Sequence, residues 1–509
     1  MKRRSFLHKL SHAAAAPIVL PNILHHALAQ QSGSFLSNTN EPGRILVLIK
    51  LDGGNDGLNT VIPLNQLSEL QQARPHVMLP DESIIDLGNA SLGLHPELSG
   101  FKSLYDEQRL KIIQNVGYEQ PDFSHFRSMD IWQSASDSDE FLNSGWIGRF
   151  IESEHPDWPT AYPNQNYPDP LSIELGGGGS SILFTGNQSF TSYLTTNPDG
   201  FHEDILLNPN AVYPDNNVGV KLRYIDLVKH QSNEYASTVK SAFEKSSLAH
   251  AYEESDFGEQ FDIMTRLILG GLNTRIYMVT LGGFDTHDTQ VDQSDHTKGE
   301  HAYLLKELND NVLKFFQNLD EVGRSDDVLC MTFSEFGRTI VSNGSRGTDH
   351  GTAAPLFIFG NRVNTEILGE NPVIPKGVRW EDNLESEFDY RSIYATVIDQ
   401  WLNTNDGKSE SVLGRQFDQF ELLRSDNDAD RWILFPNPVI DVFKIGVPKK
   451  VSSFYYQIYD LNGRRYDEGN ATVSPSKVYP ISTDNLQKGY YLINIRHQSG
   501  NEVLKFYKQ

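Results

Sequence analysis

The sequence predicts an α/β protein with a mainly parallel sheet flanked by helices, followed by a small C-terminal β-sandwich. Apolar runs of strand length alternate with amphipathic helical patterns at residues 301–322 and 391–402, which favours the first domain. Short alternating segments separated by Asn-Gly and Gly turns favour the second domain. With 509 residues, the chain is long enough for an extensive core.

The first apolar run, residues 45–51, breaks into a polar, glycine-rich loop that starts at Asp52. Ligands of open α/β sheets bind beyond the carboxyl ends of the strands, so Asp52 is placed to face a site. An aspartate after a strand is also ordinary turn chemistry. Asp52 by itself leaves both interpretations open.

Two further runs end in side chains that can bind a metal. Residues 275–281 precede Asp285 and His287, whose side chains point the same way in extended backbone and suit one ion. Residues 328–333 precede Glu335. Turn aspartates and surface histidines would explain any one of these clusters, but their recurrence favours a metal site.

A fourth pair, Asp349 and His350, lies just before the apolar run 355–360, so these ligands would enter a strand. Carboxylate and imidazole groups suit zinc, manganese, iron, magnesium or calcium, so we predict a divalent metal of open identity. Arg338 could pair bidentately with a phosphate or sulfate oxygen. The single cysteine, Cys330, lies within an apolar run and is predicted to be core.

Ser124 is the candidate nucleophile. It follows the strand-like residues 109–116 by a short loop and precedes a helical pattern. A hydroxyl at a helix N-terminus can meet an anion and be activated by a metal, but serine is also a favoured helix N-cap. His125 and Arg127 could then orient the anion or the leaving group.

Several segments resemble the exported bacterial family catalogued as domain of unknown function 1501, over roughly residues 40–405. The matching segments are residues 52–60, 124–130, 145–149, 285–287, 334–339 and 347–351. That family is similar in fold to the alkaline phosphatase and sulfatase superfamily. The resemblance implies an alkaline-phosphatase-like domain, one or two divalent metals and a serine, threonine or formylglycine nucleophile.

The resemblance also implies roles for single residues. Asp52 matches the acidic ligand after the first strand, Asp285 with His287 matches the central pair, and His350 matches the late histidine. Alternatively, Asp349 with His350 forms the central pair, which leaves the late histidine unassigned.

The chain departs from the superfamily at residues 334–337, where Ser-Glu-Phe-Gly stands in place of Ser-Asp-His-Gly. Glu335 thus replaces an aspartate and Phe336 a histidine ligand. The expected function is an exported, metal-dependent hydrolase of phosphate or sulfate esters that works by in-line displacement. The alternative is a non-catalytic surface protein with a degenerate fold that binds glycan. Without a Cys-x-Pro-x-Arg stretch, formylglycine chemistry is not expected.

Residues 1–29 resemble a twin-arginine signal peptide, with Arg3 and Arg4 ahead of a weakly apolar stretch and an Ala-Leu-Ala cleavage pattern. Pro17 and Pro21 interrupt that stretch, which argues against a membrane anchor. We predict no transmembrane helix in the mature chain. The twin-arginine route, which carries folded and often metal-loaded proteins, agrees with a metal site.

Residues 432–509 resemble the type A C-terminal sorting domain of the type IX secretion system. The resemblance rests on residues 436–438, 460–464 and 489–491. It implies passage through the outer membrane, then release or surface attachment. The alternative is an appended sugar-binding sandwich. We predict an α/β domain over residues 40–423 and a polar, acidic linker over 424–431.

The formal net charge of −24 argues against nucleic acid as a partner. The expected partners are a small-molecule or carbohydrate-linked ester and the two export machineries.

Overall fold

The computed structural model describes residues 43–88, 91–176, 181–187, 189–195, 213–214, 217–402, 407–424, 432–435, 437–448, 450–473, 477–498 and 500–509. The predicted signal peptide and residues 425–431 of the predicted linker lie outside this part of the chain. Both stay predictions.

The first domain alternates strands and helices. Its strands are β1 Ile45–Asp52, β2 Val61–Pro63, β3 Ile85–Asp86, β4 Leu92–Leu94, β5 Leu110–Gly117, β6 Ser172–Leu175, β7 Ser192–Thr195, β8 Ile276–Gly282, β9 Val328–Phe333, β10 Arg338–Ser342, β11 Thr348–His350, β12 Ala354–Phe359 and β13 Phe388–Asp389. Its helices are α1 Gly57–Thr60, α2 Leu67–Ala73, α3 Ser99–Asp106, α4 His125–Ser134, α5 Trp146–Glu154, α6 Asn217–Lys245, α7 Asp256–Leu269, α8 Glu300–Glu321, α9 Tyr390–Thr396 and α10 Lys408–Leu413.

The main sheet has eight strands within the described residues, in the order β13-β5-β12-β9-β1-β8-β6-β7. Neighbouring strands pair in parallel except at β12, which is antiparallel to β5 and β9. The predicted mainly parallel sheet is therefore confirmed. Because β12 runs against the others, its start lies at the edge where they end, and β11 just before it is brought to the same edge.

Helices cover both faces of the sheet. Phe359 of β12 packs against Phe101 of α3, with ring centroids 4.8 Å apart. Cys330 of β9 pairs with Phe359 and is fully buried, which confirms its predicted core position. Phe333 is three positions further along β9 and so points to the opposite face, where it stacks on Trp132 of α4 at 6.5 Å.

Both amphipathic patterns are helical. Residues 301–322 correspond to α8, as predicted. Residues 391–402 form α9, which continues as the π-helix Val397–Trp401. An apolar stripe marks the buried side of either helix type, so the pattern could not predict the change in winding.

The C-terminal domain has its own apolar core, which includes Phe443, Ile493 and Phe506. Its strands are β14 Ile433–Phe435, β15 Val442–Gly446, β16 Ser453–Asp460, β17 Arg465–Thr472, β18 Val478–Ser482, β19 Gly489–His497 and β20 Gly500–Lys508. They form two antiparallel sheets, β14-β15-β18 and β17-β16-β19-β20. The rings of Phe443 and Phe506, one from each sheet, lie 4.7 Å apart, which confirms the β-sandwich.

Arg424, the first residue of the predicted linker, belongs to the α/β domain in the structure, because its Nε donates to the carbonyl of Val363 at 2.7 Å. None of the helices that the structure describes combines the length and the apolar character needed to cross a membrane.

Two histidines in the core predict a pH dependence of stability. His95 and His301 are each 1% exposed, and burial lowers the pKa of His301 to about 4 and that of His95 to about 3. Unfolding restores a pKa near 6.5, so the unfolded chain binds more protons and stability falls as the pH drops from about 6.5 toward 4. Each ring should lower the free energy of unfolding by about 2 kcal/mol between pH 7 and pH 5.

Urea unfolding of the protein at both pH values checks this expectation. His301→Gln should narrow the difference between the two midpoints, whereas His76→Gln, at an exposed position, should leave it as in the wild type. An equal difference in all three proteins would contradict it.

Candidate metal centre

Three potential ligand atoms lie close together beyond the carboxyl ends of β8 and β9. Asp285 Oδ1 is 3.1 Å from His287 Nε2 and 3.1 Å from His350 Nε2, and these two ring nitrogens are 2.9 Å apart. His350 Nδ1 donates to the carbonyl of Phe123 at 2.7 Å, and His287 Nδ1 donates to Asp349 Oδ1 at 2.9 Å. Because each Nδ1 faces an acceptor, the Nε2 atom of each ring is the one that can bind a cation, and both Nε2 atoms face each other and a carboxylate.

A third imidazole comes from the first residue of α4. His125 Nδ1 donates to Glu335 Oε1 at 2.8 Å, which leaves its Nε2 with a lone pair. That Nε2 is buried, has no hydrogen-bond partner in the described structure, and lies 3.3 Å from Asp285 Oδ2. Ligand atoms of His125, Asp285 and His350 all lie within 4.8 Å of one another.

The three histidines share an arrangement typical of metal ligands. Each has its Nδ1 held by an oxygen and its Nε2 turned toward Asp285, which fixes the tautomer and the ring orientation. Together with the unpartnered His125 Nε2, this donor set fits a divalent cation held by His125, Asp285, His287 and His350.

The charges of the cluster agree with this assignment. Burial alone would raise the pKa of Asp285, but the hydrogen bond and the charge of Arg338 oppose this effect, and the pKa is lowered to about 2. The hydrogen bond to Glu335 raises the pKa of His125. Burial lowers the pKa of His350, which favours the neutral ring that a metal requires.

Arg338, predicted to hold an ester oxygen, is instead directed into the protein. Only 2% of the residue is exposed. Its Nη2 donates to Asp285 Oδ1 at 2.8 Å, and its Nε and Nη1 donate to the carbonyls of Gly54 at 2.8 Å and Thr348 at 3.0 Å. Nη2 also donates to the carbonyls of Gly53 and Phe284. Arg338 thus ties together the loops that carry the cluster.

Replacing Arg338 should destabilise the protein strongly. Arg338→Met leaves buried carbonyls and Asp285 without their donor, for an expected loss of about 3–5 kcal/mol in the free energy of unfolding. The matched control is Arg379→Met, because the Arg379 side chain is 68% exposed and pairs only at the surface. Its expected effect on stability is close to zero, because ion pairs at the surface contribute little. Thermal unfolding of both variants measures the difference, and similar values would contradict the role given to Arg338.

The loop after β1 contacts the residues around the cluster through its backbone and not through the Asp52 carboxylate. That side chain is 48% exposed and pairs with Lys50 at 3.2 Å; among the described contacts, none joins it to the cluster. The structure thus departs from the sequence prediction for Asp52, because the chain turns at Gly53 and presents its N–H, which donates to Glu335 Oε1 at 2.8 Å. Gly54 has a φ of +83°, and a Cβ there would lie 2.6 Å from the Phe336 ring, so a glycine is required.

Glu335 and Asp349, predicted as ligands, are hydrogen-bonded to imidazole Nδ1 atoms, as are the carboxylates that orient metal-binding histidines. Glu335 is 1% exposed, and its Oε1 is shared between His125 and the Gly53 N–H. The sequence could not distinguish these roles, because both place a carboxylate at the end of a strand.

Phe336 packs against the cluster without taking part in it. Its ring lies 5.0 Å from that of His125 and 4.6 Å from that of His350. The imidazole of His125, from another part of the chain, therefore lies beside the Phe336 ring. The sequence prediction gave His125 only a role in orienting an anion. The available signal was its place after β5, whose carboxyl end lies at the same edge of the sheet.

Ser124 lies next to the cluster, since Phe123 and His125 on either side of it are bonded to His350 and Glu335. It occupies the N-cap position of α4, but its side chain makes no capping hydrogen bond. Its backbone N–H donates to Asp122 Oδ1 at 2.7 Å, and the residue is exposed. The side-chain cap that was the alternative to a nucleophile is thus not formed.

Arg127, predicted to orient the anion, is bound elsewhere. Its Nη2 donates to the carbonyls of Asp137 at 3.0 Å and Ser138 at 2.9 Å, and its guanidinium lies 4.0 Å from the Phe141 ring centroid. These contacts direct it to residues 137–141, because α4 projects it away from its first residue.

Solved structures that resemble the chain include three from bacteria. A protein in the alkaline phosphatase superfamily from Vibrio parahaemolyticus is 10% identical, with 86% of each chain covered and a TM-score of 0.30. The phosphonate monoester hydrolase of Agrobacterium radiobacter is 9% identical, with 91% of this chain and 89% of that chain covered and a TM-score of 0.31. A DUF3244 family protein with an immunoglobulin-like β-sandwich fold, from Bacteroides vulgatus, is 17% identical, with 16% of this chain and 88% of that chain covered and a TM-score of 0.14.

No curated protein matches the chain. Two family models do: residues 216–419 match the one described as "Protein of unknown function (DUF1501)", and residues 433–509 match "Secretion system C-terminal sorting domain". The first match is shorter than the predicted extent of roughly 40–405, but it includes Asp285, His287 and His350. Residues 216–419 are therefore similar to the DUF1501 family, and residues 433–509 are similar to the secretion system C-terminal sorting domain.

Proposed function

We propose that this chain is an exported hydrolase of phosphate or sulfate esters that depends on a divalent metal and acts at the cell surface. The observation that carries the proposal is the convergence of three imidazole Nε2 atoms on Asp285, one of them buried and without a hydrogen-bond partner. Three imidazole nitrogens and one carboxylate form a donor set that a divalent cation would hold together.

In this proposal, His125, Asp285, His287 and His350 hold the metal. When bound, a divalent cation would lower the pKa of a nucleophile and neutralise charge on the ester oxygens. The Ser124 hydroxyl is the proposed nucleophile. Ser124 is the N-cap residue of α4, and the amide N–H groups of the first turn of a helix favour an anionic group near it.

Neither arginine that the sequence favoured for an ester oxygen is free to hold it. Arg338 positions Asp285, and Arg127 holds residues 137–141. In the proposed site, the charge of the ester is therefore met by the metal and by the N-terminus of α4.

A cavity of about 490 Å³ supports a substrate larger than the ester group. Its walls include Thr289, two residues after His287, Arg346, four residues before His350, and the exposed ring of Tyr303, but no proposed ligand. The backbone N–H of Thr289 donates to the carbonyl of Ser345 at 3.2 Å, which joins these two loops. An aromatic ring with polar groups around it suits the ring of a carbohydrate-linked ester.

Turnover of model esters tests the proposal. The protein, loaded in turn with zinc, manganese, magnesium or calcium, should hydrolyse an aryl phosphate monoester, an aryl phosphate diester or an aryl sulfate. A chelator should abolish the activity and fresh metal should restore it. A metal-loaded protein that hydrolyses none of these esters would favour the alternative, a non-catalytic glycan-binding protein, which Phe336 at a ligand position also favours.

The sorting domain supports secretion or attachment at the cell surface, and it implies the secretion machinery as a partner. We propose that the chain first reaches the periplasm by the twin-arginine route. Replacement of Arg3 and Arg4 by lysine should then block export in the native host, whereas the unchanged signal should direct a reporter to the periplasm.

A further inference from the structure

Gln290 joins the loops that carry the metal cluster from inside the protein. Its side chain is 0% exposed. Its Oε1 accepts hydrogen bonds from Thr348 Oγ1 at 2.7 Å and Thr286 Oγ1 at 3.3 Å, and its Nε2 donates to Asp56 Oδ2 at 2.5 Å. An ionised carboxylate can only accept, so Asp56 fixes which end of the amide faces the two threonines.

The two threonines connect this amide to the proposed ligands. Thr286 lies between Asp285 and His287, and Thr348 comes two residues before His350. Their backbones are also joined, because the N–H of Thr348 donates to the carbonyl of Thr286 at 3.2 Å. One oxygen atom of Gln290 therefore links the segment that carries Asp285 and His287 with the segment that carries His350.

The other end of Gln290 is anchored by a buried ion pair. Asp56 Oδ2 also accepts from Arg74 Nη2, and the two side chains are 1% and 0% exposed. Breaking a buried ion pair is costly because the remaining charge stays uncompensated. The pair thus gives Gln290 a fixed support on the loop after β1.

We infer that Gln290 is a positioning residue that sets the separation between Asp285 with His287 and His350. The inference rests on the proposed metal site. Gln290 acts on the proposed ligands through Thr286 and Thr348. Such an indirect contact can matter, because a metal requires its donors within a few tenths of an ångström of their places. Without the amide, the threonine hydroxyls lose their common partner, and the two segments lose one of the buried links that fix their separation.

Gln290→Met tests this role, since methionine has nearly the same volume and no hydrogen-bonding amide. The matched control is Gln260→Met. Gln260 is 8% exposed and makes two hydrogen bonds with the backbone of Thr280 in β8, at 3.0 and 2.7 Å. Both variants lose buried amide hydrogen bonds, but only Gln290 contacts the ligand-bearing segments.

Two measurements are made on each protein: Zn²⁺ affinity, by competition with a chromophoric chelator, and the ¹⁵N spectra of the histidines in the metal-free protein. Gln290→Met should bind Zn²⁺ about 10- to 100-fold more weakly than the wild type, as outer-shell changes typically do. The signals of His287 and His350 should shift in the same variant. Gln260→Met should match the wild type in both.

The inference would be overturned if Gln290→Met had wild-type Zn²⁺ affinity and histidine spectra, or if both variants lost Zn²⁺ affinity equally. Neither result would contradict the proposed metal site. Failure of the wild type to bind Zn²⁺ would count against the proposed function. The histidine spectra then decide the inference by themselves: a shift confined to Gln290→Met supports it, and no shift overturns it.

Discussion

His125→Ala and Asp285→Asn are each expected to abolish stoichiometric metal binding, whereas Asp52→Ala should retain it. Each of the first two changes removes a donor from the only group of potential ligands found in the described residues, so affinity should fall by more than the roughly 10- to 100-fold typical of an outer-shell partner. Asp52 pairs with Lys50, and none of its described contacts joins it to that group. Elemental analysis of the purified, folded proteins after dialysis against each metal checks this expectation.

Asp52→Ala is the informative control, because a ligand role for Asp52 follows from the sequence and the family resemblance but not from the structure. Metal lost in Asp52→Ala and kept in His125→Ala would reverse the assignment made from the geometry. Glu335→Gln provides an intermediate test: it should weaken binding without abolishing it, since Glu335 orients the His125 ring and is not one of the proposed donors.

Ser124→Ala is expected to lower kcat by at least about 10³-fold if Ser124 is the nucleophile, since removing a nucleophile is among the largest single effects in catalysis. Metal content should not change, because the Ser124 hydroxyl is not among the donor atoms. Ser103→Ala, at an exposed position of α3, is the matched control and should keep full activity. Steady-state kinetics on the best ester substrate gives the comparison.

A different result would identify a structural serine. Loss of about 1 kcal/mol of stability with unchanged kcat is the result expected of a helix N-cap. The missing capping hydrogen bond in the structure argues against that outcome. Wild-type kcat in Ser124→Ala would transfer the role of nucleophile to water or to another group.

The elements of the fold could be predicted from the sequence because they follow from local patterns. Strand β1 is a run of apolar, β-branched residues, α8 is an amphipathic repeat, and the turn-separated segments from Ile433 onward alternate in polarity. The same logic placed Asp285, His287 and His350 at one edge of the sheet. Period, polarity and strand direction are properties of short segments, so they can be read without knowing the rest of the chain.

Only the tertiary structure decided which of these groups touch. It brought His125, the first residue of α4, into the cluster. It also placed the carboxylates of Glu335 and Asp349 in hydrogen bonds with imidazole Nδ1 atoms, and it paired Asp52 with Lys50. It also directed Arg338 and Arg127 to backbone carbonyls. The proposed ligand Asp285, the orienting Glu335 and the surface Asp52 are all carboxylates at or just after the end of a strand. They differ by a few ångströms and by the direction of a side chain, which depend on how distant segments pack.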